Sequence, residues 1–222
     1  MNKTLELIWK AIANPIDAFK EIKEEKPVYA ALIYLLIYGI VSVLAAHFAG
    51  KNGIAFPQNG GNLPPSAQAF FKDFSNSIKS LTTSTPFFIL GLVVPYINVF
   101  VSVSIYELIA QFVTKKANGL ALFTAWSFAS IPILIYKLLD ILFATAMNYN
   151  LPGWIELIFI LWGITLYVFA IKETYETDTA SAIGIYFTPI IALLILVILY
   201  VIMLFPLFGS LFKSIPGGVF TP

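Results

Sequence analysis

The chain has 222 residues, of which 59% are hydrophobic, 16% are aromatic and 11% are charged. An ordinary soluble domain carries about 25% charged residues, and at a mean hydropathy of +0.87 the charges are too few to cover a water-soluble globule. These figures exclude a soluble fold and indicate an integral membrane protein. Because the sequence contains no cysteine, disulfides, thiol chemistry and cysteine-based metal sites are also excluded.

Residues 1–27, ahead of the first apolar run, predict short cytosolic amphipathic helices. Asn14 suits an N-cap, and the proline after it suits the first helical turn. The helix predicted to begin after Asn14 has one apolar side, which consists of Ile16, Phe19 and Ile22. Five lysines against five acidic residues give no strong attraction to anionic lipid. Two interpretations stay open, because the apolar side either binds a partner or packs as a lid on the helix bundle.

Five apolar runs of about 18 residues or more follow this segment. They are Val28–Ala49, Phe87–Val113, Leu120–Met147, Trp154–Ile171 and Ala182–Phe208. At a rise of about 1.5 Å per residue, each run is long enough to cross about 30 Å of hydrocarbon as a helix. A barrel strand needs only ~10 residues of alternating polarity. The expected fold is therefore an all-α integral membrane protein with five transmembrane helices in 28–208 and a tail at 209–222.

The longest predicted loop, residues 50–86, is expected on the external side of the membrane. It begins with a Gly- and Pro-rich coil and continues with a helix from Ser66. The apolar residues of this helix fall on one stripe. They are Phe70, Phe74, Ile78 and Leu81. The stripe predicts a helix that rests on the membrane surface or over the bundle, with a gating lid as the alternative.

The distribution of lysines predicts the orientation of the chain, since cytoplasmic segments carry the excess of positive charge. With the N-terminus inside, the inside segments hold eight lysines and the outside segments hold four. We therefore expect a multi-pass protein of the cell membrane with a cytosolic N-terminus and an external C-terminus.

Four charged residues lie within or at the ends of the apolar runs, where charge is costly and is a functional hypothesis by default. They are Glu107, Lys137, Asp140 and Glu156. Lys137 and Asp140 are one helical turn apart, and Glu156 lies at a comparable depth. These three residues predict an outer polar cluster, which is either an ion pair that fixes packing or a site for a substrate or ion. Glu107 lies on a polar stripe that is either a solvated face or the floor of a cavity.

The sequence contains none of the common motifs for nucleotide binding, hydrolysis or zinc-dependent proteolysis. The single histidine, His47, has no second histidine or cysteine with which to complete a metal site. We expect no enzymatic activity, no cofactor, no metal and no nucleic-acid partner. The expected partners are membrane lipids and a membrane-associated protein, with a homo-oligomer as a further option.

Three segments resemble the Yip domain family, the Ypt/Rab-interacting membrane proteins. They are Asn14–Pro27, Trp126–Pro132 and Lys172–Ala182. Their order and spacing against the five apolar runs carry the resemblance, which covers nearly the whole chain. The resemblance implies five spanning helices and a cytosolic N-terminus.

Eukaryotic members of that family act in vesicle traffic between the endoplasmic reticulum and the Golgi, and they bind prenylated small GTPases through a longer cytosolic N-terminal region. Here 27 residues precede the first apolar run. The Asp-Leu-x-Gly-Pro element of those members is replaced by Glu24-Glu25-Lys26-Pro27. The chain therefore resembles prokaryotic members, for which the family implies no settled function, and GTPase binding carries over to no residue here.

The sequence leaves functional hypotheses from different classes. The first is a non-enzymatic membrane scaffold that binds partner proteins in membrane organisation or trafficking. The alternative is a small transporter or channel that uses the intramembrane charges, or a lipid-binding membrane protein. A continuous polar cavity from Glu107 to Lys137 would favour the transporter.

Overall fold

A computed structural model describes residues 3–52, 64–82, 84–147 and 151–213, and all regular elements within these ranges are helices. In chain order they are α1 (Lys3–Ala13), α2 (Pro15–Glu25), α3 (Val28–Asn52), α4 (Pro65–Thr82), α5 (Thr85–Thr114), α6 (Gly119–Ala129), α7 (Ile131–Met147), α8 (Gly153–Tyr175) and α9 (Thr179–Lys213). Five stretches are long and apolar enough to cross a membrane: Val28–Phe48, Thr85–Thr114, Gly119–Met147, Gly153–Tyr175 and Thr179–Leu204. The predicted all-α fold with five spanning helices is confirmed.

The two N-terminal helices pack against one end of the bundle. The side chain of Asn14 accepts a hydrogen bond from the amide of Asp17 and caps α2, and Lys26 ends this helix in the left-handed conformation. α1 contacts α2, α3 and α6, while α2 contacts α6 and α8. Residues 1–27 were expected to form cytosolic amphipathic helices, and the described part of this segment shares one hydrophobic core with the spanning helices.

The partner-binding face predicted on α2 is therefore largely covered. Ile16 is 36% exposed, whereas Phe19 and Ile22 have no exposed surface at all. The physical reason is that an amphipathic helix buries its apolar side against the nearest apolar surface, and here the ends of α6 and α8 supply that surface. Of the two interpretations of this segment, the packed lid describes the structure.

The third apolar run, predicted as one helix, is divided between α6 and α7 at Ser130. Pro132 has no amide hydrogen to donate to the carbonyl of Phe128, and its ring collides with that carbonyl in a continuous helix. The hydroxyl of Ser130 donates to the carbonyl of Ser127 at 2.8 Å, so a backbone acceptor next to the break has a partner. The proline therefore interrupts the helix instead of only bending it.

α3 and α5 cross at a pair of glycines. A Cβ atom on Gly39 would lie 3.3 Å from both the carbonyl oxygen of Gly91 and the Cα of Leu92. A Cβ atom on Gly91 would lie only 2.2 Å from Cγ2 of Val43. Small residues allow the backbones of membrane helices to approach closely, and this crossing forms one wall of the cavity described below.

Four aromatic rings connect α5, α6, α8 and α9. They belong to Tyr106, Trp126, Tyr167 and Tyr186. The ring of Trp126 lies 4.4 Å from those of both Tyr106 and Tyr167, measured between centroids. The hydroxyl of Tyr106 donates to the carbonyl of Tyr186 at 3.2 Å, so the cluster anchors the start of α9. From residue 190 to residue 203, every side chain of α9 is exposed, which gives an apolar surface suited to lipid.

The helix predicted from Ser66 corresponds to α4, which contacts α3 and α5. Phe70 and Phe74 stack with their ring centroids 6.1 Å apart, and both are exposed. The side chains of Ile78 and Leu81, most of the preceding coil and residues 214–222 of the predicted tail lie outside the described residues. The choice between a surface helix and a gating lid stays a prediction.

Candidate functional site

A cavity of about 310 Å³ lies between α3, α5, α7 and α8. Its wall on α5 is mostly apolar, and the other helices contribute most of its polar lining, including Lys137. The polar lining residues are Tyr38, Ser42, Asn98, Ser130, Lys137 and Tyr167. Two residues on the α5 wall, Val94 and Asn98, are exposed. The cavity therefore opens sideways, on the surface of the bundle that the membrane covers.

Lys137 reaches across this cavity to α3. Its Nζ atom donates to Oγ of Ser42 at 2.9 Å and lies 5.0 Å from the centroid of the Tyr38 ring. The hydroxyl of Ser42 in turn donates to the carbonyl of Tyr38 at 2.7 Å. Among the described residues, no carboxylate oxygen lies within the 4.0 Å ion-pair distance of this Nζ.

The ion pair expected between Lys137 and Asp140 or Glu156 is therefore wrong. Asp140 accepts a hydrogen bond from the amide of Leu151 at 3.0 Å, just before α8 begins. Glu156 is exposed near the start of α8 and attracts Lys137 only through space. The long side chain of Lys137 extends to α3 instead, because α3 offers a hydroxyl acceptor and an aromatic face.

Glu107 belongs to a different polar cluster, at the end of the bundle that carries α1 and α2. Its carboxylate accepts hydrogen bonds from the backbone amide of Asn118 at 2.9 Å, from Nε2 of Gln111 at 3.0 Å and from the hydroxyl of Tyr175. Asn118 precedes α6, so the carboxylate also lies near the positive end of that helix. These contacts tie α5, α6 and α8 together.

A second cavity, of about 410 Å³, lies beside Glu107. Its lining is nearly all apolar, with Glu107 and Ser104 as the polar members. It shares no lining residue with the cavity at Lys137. The two cavities therefore do not form the continuous polar cavity that would favour a transporter.

Glu176 holds together the end of the bundle that carries α1 and α2. It follows α8 in the left-handed conformation and pairs with Lys23 of α2 and with Lys116, whose Nζ lies 3.0 Å from the carboxylate. Lys116 also donates to the carbonyl of Tyr175 at 3.0 Å. The hydrogen bonds from Lys23 and Lys116 lower the pKa of the Glu176 carboxyl to about 2. Sequence reasoning missed this cluster, whose only signal is that all three charges flank predicted spans on the same side.

Within the described ranges, no three His, Asp or Glu side chains are placed to hold a metal ion together. A family model for the Yip1 domain matches residues 9–211, from α1 to α9. The chain belongs to the Yip1 domain family. This assignment confirms the resemblance found in the sequence, and together with the five spans it makes the chain a multi-pass membrane protein. Comparison with curated proteins and with solved structures gave no match.

Proposed function

We propose that this Yip1-domain protein is a non-enzymatic membrane scaffold that binds a membrane-associated protein at the α1–α2 end of its bundle, on the cytosolic side. The observation that carries the proposal is the construction of this end. α1, α2, the α5–α6 loop and the α8–α9 loop form one packed surface, joined by Glu176 and its two lysines. A surface that is ordered before binding loses little conformational entropy when a partner docks.

The outer side of α1 offers the apolar contacts. Leu5 and Trp9, one helical turn apart, are 57% and 67% exposed, while Leu7 and Ala11 face the core. Exposed tryptophan is typical of the residues that carry most of the energy of a protein interface. The balanced charge of residues 1–27 gives anionic lipid no strong advantage at this surface. We therefore place the partner on Leu5 and Trp9, with Ile16 as an edge contact.

The arrangement of the internal charges favours a scaffold over a transporter. A carrier coupled to ions needs a titratable group that both sides of the membrane reach in turn. Glu107 already accepts three hydrogen bonds, and its cavity is separate from the one at Lys137. Neither residue is placed for alternating access.

A photo-crosslinking amino acid at position 9 of the full chain, irradiated in native membranes, tests the partner surface. We expect a discrete protein adduct at position 9. Two matched controls are the same amino acid at Ala18, which is buried, and at Phe70, which is exposed on α4; neither is expected to give that adduct. If position 9 crosslinks to lipid alone, the proposal fails.

The cytosolic placement of this surface has a separate test. The chain contains no native cysteine, so single cysteines at 116 and 70 report the two sides of the membrane cleanly. An impermeant maleimide applied to intact cells should label position 70 and not position 116. Labelling of position 116 from outside would contradict the proposed orientation.

A further inference from the structure

The ammonium group of Lys137 is incompletely satisfied by the protein. It carries three N–H donors, and Ser42 accepts one of them. In the part of the chain that the structure describes, no carboxylate comes within ion-pair distance. A charge inside a membrane bundle is costly when it has no counter-charge, and a neutral hydroxyl with one aromatic ring offsets only part of that cost.

The two serine hydroxyls of the cavity, on Ser42 and Ser130, are already engaged with the protein. Ser42 donates to the carbonyl of Tyr38. Ser130 donates to the carbonyl of Ser127, and its oxygen lies 3.0 Å from the hydroxyl of Tyr34. The hydrogen-bond donors that line the cavity include the remaining N–H groups of Lys137 and the side-chain amide of Asn98. Two donors of this kind match an anion, which accepts hydrogen bonds and supplies a negative charge at ion-pair distance.

The opening of the cavity determines what kind of anion reaches Lys137. Asn98 lies near the middle of the 30-residue helix α5, at a depth of about 20 Å from either helix end. Val94, at the same opening, is 50% exposed. A ligand that enters here comes from the hydrocarbon region of the membrane, so it needs an apolar portion.

We propose that this cavity binds the anionic head group, a carboxylate or a phosphate, of a membrane amphiphile whose apolar chain lies along α5. Lys137 supplies the opposing charge, Asn98 supplies a second donor at the opening, and Gly91 adds no side chain to the cavity wall. Asp140 and Glu156 do not line the cavity. The inference goes beyond the scaffold function and does not depend on it.

The test uses the full chain in phosphatidylcholine nanodiscs, with oleic acid or phosphatidic acid added as the probe. Thermal unfolding should shift upward in a saturable way, because a ligand that binds only the folded state stabilises it. Native mass spectrometry counts the bound probe molecules. Lys137→Met should weaken the apparent affinity by about tenfold or more. Lys20→Met changes the net charge equally at an exposed position on α2 and should bind as the wild type does.

A second variant, Asn98→Leu, keeps Lys137 and removes the other donor. It should bind the probe more weakly than the wild type, and it tests the site even if Lys137→Met does not fold. Inorganic phosphate and acetate, added without an acyl chain, should produce no comparable shift. Equal stabilisation by these soluble anions would contradict the requirement for an apolar chain. An equal response of wild type and Lys137→Met to the probe would contradict the proposed site.

Discussion

The hydrogen bond from Nζ of Lys137 to Oγ of Ser42, 2.9 Å long, joins α7 to α3 through a cationic group. A lysine at this depth is ordinarily expected to pair with a carboxylate, and here a neutral residue 95 positions away takes that place. The internal charge thus marks a cavity instead of an ion pair, and this difference determines how each charged residue responds to mutation.

Removal of Lys137 and of Asp140 should affect stability differently, although the two residues are one turn apart on α7. Lys137→Met leaves no carboxylate unpaired and should leave the melting temperature in zwitterionic detergent unchanged or raised. Asp140→Leu leaves the amide of Leu151 without its acceptor and should destabilise the protein by about 1 kcal/mol or more. A large loss of stability in Lys137→Met would instead indicate a buried ion pair.

Glu107→Ala should lower the stability by about 1–3 kcal/mol, because the hydroxyl of Tyr175 loses its acceptor in a buried position. Glu107→Gln retains an acceptor and should lose less. The control is Gln111→Ala, since Gln111 is exposed and donates to the same carboxylate. Thermal unfolding of the three variants provides the comparison, and equal melting temperatures for Ala and wild type at position 107 would count against a structural role.

The glycine crossing should be sensitive to a single methyl group. Gly39→Ala places a carbon 3.3 Å from backbone atoms of α5 and should destabilise the bundle by about 1–3 kcal/mol through overpacking. Gly184→Ala is the matched control, because a Cβ there meets nothing within 4 Å; its helix propensity should make it neutral or stabilising. If both variants melt alike, α3 and α5 are not closely packed at this crossing.

Glu176 should make stability depend on acidic pH. Its folded pKa, about 2, lies below the ordinary value of 4.5, so its ion pairs contribute fully above pH 4.5 and are lost as the pH falls through about 2. Because the pair is exposed to solvent, Glu176→Gln should lower the melting temperature at pH 7 by no more than about 2 °C. The difference should shrink toward pH 2.

The exposed Glu24→Gln is the control for this prediction, since Glu24 forms no ion pair among the described residues. A gap between wild type and Glu176→Gln that stays constant from pH 7 to pH 2 would show that the carboxylate charge is not what stabilises the α1–α2 end.

The spanning helices could be predicted from the sequence because hydrophobic length alone determines which segments enter a membrane. The interruption at Ser130 could not, since a proline such as Pro132 either bends or divides a helix according to how its neighbours pack. The spacing of apolar residues along α2 likewise identified Phe19 and Ile22 as part of one apolar side. Period does not reveal what covers that side, and the covering surface comes from α6 and α8.

The polar contacts of the candidate site were even less predictable. Spacing along one helix suggests Asp140 for Lys137, but the actual partner, Ser42, belongs to another helix and depends on how α3 and α7 cross. Glu176 presents the same difficulty, because Lys23 and Lys116 approach it from separate parts of the chain. Contacts between distant segments depend on tertiary packing, which a single sequence does not encode as a local pattern.

The measurement that most directly tests whether this protein binds a partner instead of moving a solute is flux in proteoliposomes. Proton, cation and small-solute flux would be compared for wild type, Glu107→Gln, Lys137→Met and protein-free liposomes. The scaffold account predicts that none of the three proteins exceeds the protein-free rate. Saturable flux through the wild type that Glu107→Gln or Lys137→Met abolishes would contradict it and establish a transporter.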